Sequence, residues 1–121
     1  MYRSAFTSHA WEDLKRLPKN VRNALKREFT QKVHVNPIEC SEKLNPPLEA
    51  FRSFHYKDYR VVYQVFEDLK IVAVAGIGKK DRHHRGEIYK RLEDLAKSGK
   101  LAAAVLDTYR SISSTTESSD E

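Results

Sequence analysis

Apolar residues in the first third of the chain recur at helical spacing, and after residue 50 they crowd into short runs dense in Phe, Tyr, Val and Ile. Tyr2, Ala5 and Phe6 predict a short opening strand over residues 2–7. Ser8 is placed to cap the helix that follows, with Glu12 and Asp13 in its first turn and Trp11, Leu14 and Leu17 on one face. Pro18 breaks that helix. A second begins near Lys19 or Asn20, because Val21, Ala24, Leu25, Phe29 and Val33 fall on one helical stripe. The result is a helical hairpin whose outer surface collects Lys15, Arg16, Lys19, Arg22, Lys26 and Arg27, most simply a solvated face.

Asn36-Pro37 stops the second helix, and Asn45-Pro46-Pro47 marks a loop. Three strand-like runs follow, over 51–56, 59–67 and 70–79, separated by Lys57-Asp58 and Asp68-Leu69, each short enough for an antiparallel hairpin. Arg60 and Gln64 interrupt the central run at a spacing of four and so share one side of the sheet, which leaves one face for packing and the other for work. A two-residue turn at Lys57-Asp58 sets His55 opposite Arg60 and Ser53 opposite Val62. A three-residue loop reverses that parity and brings Arg52, Phe54 and Tyr56 to the Arg60 side. A third helix is expected from about Glu87, interrupted by Ser98-Gly99, with Leu101 to Leu106 forming a further apolar helix. The expected fold class is α+β: an N-terminal strand and helical hairpin packed on a small antiparallel sheet, with a C-terminal helix. Residues 1–110 form one domain, and 111–121, nearly all Ser, Thr and acids, form a disordered acidic tail.

Composition sharpens this in two ways. At 121 residues and 40% apolar content the chain closes one modest core. Its net charge of +5 is unevenly spread: residues 1–110 hold all 22 basic residues and 14 of the 17 acidic ones, a net +8. A compact body so charged attracts polyanions, since neutralising phosphates releases condensed counterions, although excess lysine also serves solubility. The single cysteine, Cys40, has no second thiol or spaced histidine set beside it, and no metal or cofactor is expected. Neither a charged-then-apolar leader nor a run of about 18 apolar residues is present, so a cytoplasmic protein away from the membrane is expected.

The third strand delivers Lys79 and Lys80 into a loop holding Arg82, His83, His84 and Arg85, with Tyr89 just beyond, and antiparallel order sets that loop near the start of the second strand, where Arg60 sits. Cleaving RNA without a metal needs a group to deprotonate the 2′-hydroxyl, cations to stabilise the crowded phosphate, and an acid for the leaving 5′-oxygen. Histidine and tyrosine beside lysine and arginine meet all three needs. Each has a plainer reading: a His-His pair in a turn is more often solvent-exposed than catalytic, and Tyr89 can equally close the core. Arg60 is harder to set aside, because arginine inside an apolar strand is costly to bury unless it faces a partner or a cleft. A paired set of catalytic carboxylates, a Gly-rich phosphate loop and a Ser-His-Asp arrangement are missing, which argues against glycosidases, nucleotide-binding enzymes and serine hydrolases.

The order Tyr59-Arg60-Val61-Val62-Tyr63-Gln64-Val65, then Ile71-Val72-Ala73-Val74, Gly76-Ile77-Gly78-Lys79-Lys80-Asp81-Arg82 and Ile88-Tyr89 resembles the core of the RelE/ParE toxin superfamily, RelE-type toxins above all. The hairpin ending in Asn36-Pro37 and the loop from Lys43-Leu44 to Pro47-Leu48 extend the resemblance over residues 2 to about 95. It implies a toxin of a type II toxin–antitoxin system that cleaves messenger RNA on the ribosome and is held inactive by a cognate antitoxin. On that resemblance Arg60 matches the strand arginine that stabilises the scissile phosphate, Lys80 stands at a second phosphate-stabilising position, and Tyr89 aligns with a tyrosine of acid–base chemistry or base stacking. Arg52, His55, Lys79, Arg82 and Arg85 would hold RNA. The sequence departs from the pattern where two lysines of typical members fall on Phe51 and Ser53, with His55 and Arg52 the nearest polar substitutes. Two extra residues also lengthen the loop before Tyr89, leaving His83 or His84 to fill a role that related toxins give to histidine. The ParE-type branch, which shares the fold but poisons DNA gyrase, and a degenerate member that only binds its antitoxin are the alternatives.

Overall fold

The computed structural model describes residues 1–81 and 86–119. Strand β1 (Arg3–Phe6) leads into helices α1 (Ser8–Arg16) and α2 (Lys19–Lys32); strands β2 (Glu42–Lys43), β3 (Arg52–Tyr56), β4 (Tyr59–Phe66) and β5 (Ile71–Lys79) follow, then α3 (Glu87–Lys97) and α4 (Lys100–Ser119). Thr7, not Ser8, caps α1. Its hydroxyl accepts from the Ala10 amide at 3.1 Å and donates to the Ala75 carbonyl at 3.2 Å, so one side chain both starts the helix and ties it to the sheet. The helix therefore begins earlier than expected, and Glu12 and Asp13 lie beyond its first turn. Pro18 separates the helices as its missing N–H requires.

The five strands lie in the order β1-β5-β4-β3-β2. Strands β2 to β5 are antiparallel neighbours, while β1 joins β5 in parallel, Arg3 beside Ile71 and Phe6 beside Val74. The sheet is thus mixed rather than purely antiparallel. Parallel pairing needs a long crossover, which leaves no turn signal to read, and the two-residue edge strand β2 carries no periodicity. Between β3 and β4 the two-residue turn holds: Tyr56 pairs with Tyr59, His55 with Arg60 and Ser53 with Val62, with Lys57 in the left-handed region at φ 52°. The β4–β5 turn is longer than Asp68-Leu69 and spans Glu67 to Lys70. A bulge leaves Ala75 unpaired on β5, since Val62 faces Gly76 and Tyr63 faces Val74.

Both faces of the sheet are covered over part of their area. Leu14 of α1 and Leu25 and Phe29 of α2 pack with Phe54, Val61, Tyr63, Val72 and Val74. On the opposite face Ile88 and Leu92 of α3 and Leu101 and Val105 of α4 pack with Leu48, Phe51, Val62, Ala73 and Ala75. Burying each large side chain of this kind stabilises by about 1.5–3 kcal/mol. The division into one packing face and one working face is therefore too simple: small apolar residues on the second face demand cover, and its end near the β3–β4 turn stays open to the polar side chains grouped around Arg60. Trp11, expected on one face with Leu14 and Leu17, is 47% exposed, because the buried side of α1 is Ala10, Asp13 and Leu14. Helical backbone continues in α4 to Ser119, past the boundary expected after residue 110, in a segment with no Pro or Gly to stop it. No helix among the described residues is long and apolar enough to cross a membrane.

One charged group is built into this frame. Asp13, 7% exposed, accepts the Ile77 amide of β5 at 3.0 Å and is gripped by both terminal nitrogens of Arg91 from α3, one at 3.1 Å. Strand β1 ends opposite Val74, so the Ile77 amide lies beyond the reach of that pairing, and the Asp13 carboxylate satisfies it. The same carboxylate fastens α1 to α3 around the edge of β5.

Candidate functional site

The pleat of β3 and β4 sends Ser53, His55, Arg60 and Val62 to the side covered by α3. Gly78 lies opposite Arg60 on β5, and a Cβ there would come within 2.7 Å of Ile88 Cβ, so glycine lets the start of α3 approach the strand. That approach lays Tyr89 over the sheet. Its hydroxyl shares a 2.7 Å hydrogen bond with Ser53, which is 1% exposed, and Lys80 Nζ stands 5.1 Å from the centre of its ring. The backbone holds Lys80 in turn, its amide donating to the Asp58 carbonyl at 2.6 Å.

Arg60 is anchored by its own turn. Its Nη1 donates to the carbonyls of Lys57 at 2.9 Å and Tyr59 at 3.0 Å, and its buried Nε has no hydrogen-bond partner among the described residues. Among those residues no carboxylate forms an ion pair with it. An arginine oriented by neutral carbonyls keeps its charge available to an anion. Beside it, His55 has Nε2 at 3.8 Å from Glu42 Oε2, across the β2–β3 pair. Burial lowers the His55 pKa below its ordinary 6.5, and the cations Arg60 and Lys80 lower it further, while Glu42 opposes them. At neutral pH the imidazole is therefore uncharged and able to accept a proton.

Arg60, His55, Lys80 and Tyr89, proposed from sequence, thus come together. Arg52 and Lys79 do not. Arg52 faces the α2 side, where Nε donates to Ser41 Oγ at 2.7 Å and Nη2 to the carbonyls of Ile38 at 3.1 Å and Ser41 at 3.0 Å, so its donors hold the 37–41 loop. Lys79 pairs with Tyr59 across the ladder, lies 5.9 Å from that ring and 3.7 Å from Asp81, and alternation turns it away from Lys80. The first placement follows from the two-residue turn, the second from alternation along β5. Arg82, His83, His84 and Arg85 lie outside the described residues. No group of three His, Cys, Asp or Glu side chains among the described residues is gathered to hold a metal.

The family model of the ParE toxin of type II toxin–antitoxin systems matches residues 5–84. The chain belongs to this toxin family. Among solved structures, the isolated E. coli RelE toxin is 28% identical to this toxin with a TM-score of 0.58, covering 76% of this chain and 99% of that one. A chain of the intact E. coli RelBE toxin–antitoxin complex is 27% identical with a TM-score of 0.56, covering 68% and 100%. A chain of the Mycobacterium tuberculosis RelBE2 complex, at 24% identity and a TM-score of 0.60 over 65% and 91%, is alike in fold alone. No curated protein matches the sequence.

Two members of the toxin's polar cluster escaped the residue-by-residue reading. Ser53 entered as the position opposite Val62 and as one where a lysine is absent, not as the residue that holds the tyrosine, and Glu42 sits on a strand that no pattern announces. Register carried the signal for Ser53, because residues 53 and 55 must share a side of β3.

Proposed function

We propose that this toxin is a metal-independent endoribonuclease acting on messenger RNA at the ribosome. The observation carrying this reading is the convergence of Arg60, Lys80, His55 and Tyr89 on the open end of one sheet face, with the guanidinium held by carbonyls instead of carboxylates. Arg60 and Lys80 stabilise the charge that builds on the phosphate during in-line attack, which is where preorganised cations contribute most. Tyr89, fixed by Ser53, stacks on a base or handles a proton, and the histidines at 83 and 84 are further proton-handling candidates. Arg82 and Arg85 are assigned to RNA contacts from sequence. The partner is a cognate antitoxin, by analogy with the toxin–antitoxin complexes of similar fold, and the site of action is the cytoplasm.

A ParE-type action on DNA gyrase is favoured by one observation, that the matching family model is the ParE one. Brief induction followed by mapping of new transcript 5′ ends separates the two. Cuts in phase with codons support the nuclease; DNA damage with an unchanged messenger pool supports gyrase poisoning and overturns the nuclease reading.

A further inference from the structure

Among the described residues the cluster contains two cations, a phenol already engaged with a buried hydroxyl, and one imidazole. Lysine and arginine offer hydrogen-bond donors and no acceptor. Tyr89 shares its hydroxyl with Ser53 at 2.7 Å. His55 stands apart from them: the β3–β4 register sets it directly across from Arg60, its side chain is 44% exposed, and its 3.8 Å separation from Glu42 is too long for a hydrogen bond. A cleft of about 250 Å³ opens beside it between Ser53 and the 39–42 segment, with room for a sugar.

We propose that His55 is the catalytic base that takes the proton of the attacking 2′-hydroxyl. This rests on the ribonuclease reading of the same site. The 2′-oxygen bonds to phosphorus as its proton passes to the imidazole. The P–O5′ bond breaks with its electron pair on the 5′-oxygen, and that oxygen takes a proton from the Tyr89 phenol. The products are a 2′,3′-cyclic phosphate and a 5′-hydroxyl, and the imidazolium proton returns to the phenolate through solvent. Glu42 faces the ring from β2, Arg60 from β4 and Lys80 from the end of β5, while Tyr89 of α3 lies beside Lys80. Burial and the two cations keep the resting ring neutral, and the Glu42 carboxylate favours the imidazolium once it forms.

The test is cleavage of a defined RNA oligonucleotide by the full chain, with and without ribosomes, as a function of pH. Wild type should lose rate on acidification along a limb whose midpoint lies below 6.5, the direction in which burial and the cations move His55. H55Q should be slower by about 10²-fold or more and lack that limb, and added imidazole should restore cleavage to H55A, which mere structural support would not produce. An unchanged rate and limb in H55Q overturns the assignment, as does a limb that survives H55Q and vanishes in H83Q/H84Q. No cleavage by wild type under either condition overturns the ribonuclease reading and this inference with it, whereas active wild type and active H55Q overturn the inference alone.

Discussion

Two arginines near the same strand meet opposite fates. Arg91, on α3, closes both its terminal nitrogens on a buried carboxylate and joins two helices at the edge of β5. Arg60, on β4, is held by carbonyls of its own turn and, among the described residues, by no carboxylate. Both are positioned by the fold, but only the first has its charge cancelled. Positive charge matched by a buried acid serves stability, and positive charge oriented without one is kept for a ligand.

The contrast predicts which substitutions unfold the protein and which silence it. The largest effect expected is in R60A, where transcript cleavage should fall by about 10²–10³-fold, while thermal unfolding stays near wild type. Undiminished cleavage would remove Arg60 from the site. D13A should do the reverse, lowering stability in chemical denaturation by about 2–3 kcal/mol, because it strands the Ile77 amide and frees Arg91. A denaturation midpoint equal to wild type would show that the clasp contributes nothing net.

G78A probes the boundary between the two regions. The added methyl meets Ile88 Cβ at 2.7 Å, so α3 must move; a stability loss of about 1–3 kcal/mol is expected, with cleavage reduced as Tyr89 shifts. Retained stability and activity would mean that the helix start adjusts freely. The smallest effect concerns pH. His34, whose Nε2 lies 3.0 Å from Ser4 Oγ, has its pKa lowered by burial. The unfolded chain then binds the proton first, so stability is full above the ordinary pKa of 6.5 and declines as pH falls through the lower folded value. H34Q should flatten that decline in urea titrations, and an unchanged slope would assign it to other groups.

Much of the fold was legible because its signals are local. Pro18, the stripe of Leu25, Phe29 and Val33, the Lys57-Asp58 turn and the restart after Ser98-Gly99 each act within a few residues of themselves, and the elements lie where they point. The alternation of β4 also made Arg60 conspicuous, since a charged residue in an apolar run asks for a partner or an opening. Over 111–119 the backbone continues a helix already begun, past the boundary that composition suggests, with no Pro or Gly to stop it.

The sequence alone determined every element but the two-residue β2, and that Arg60, Lys80 and Tyr89 are chemically suited to a phosphate. Only the tertiary structure decided which cations stand together. Whether Arg52 or His55 accompanies Arg60 turns on one residue of loop length, and the separation of Lys79 from Lys80 on alternation at a strand's end. The parallel seat of β1, the Asp13–Arg91 clasp and the Ser53–Tyr89 hydrogen bond join residues 68, 78 and 36 positions apart. Such contacts form when apolar layers stack, and the polar groups they enclose find partners that no local pattern records.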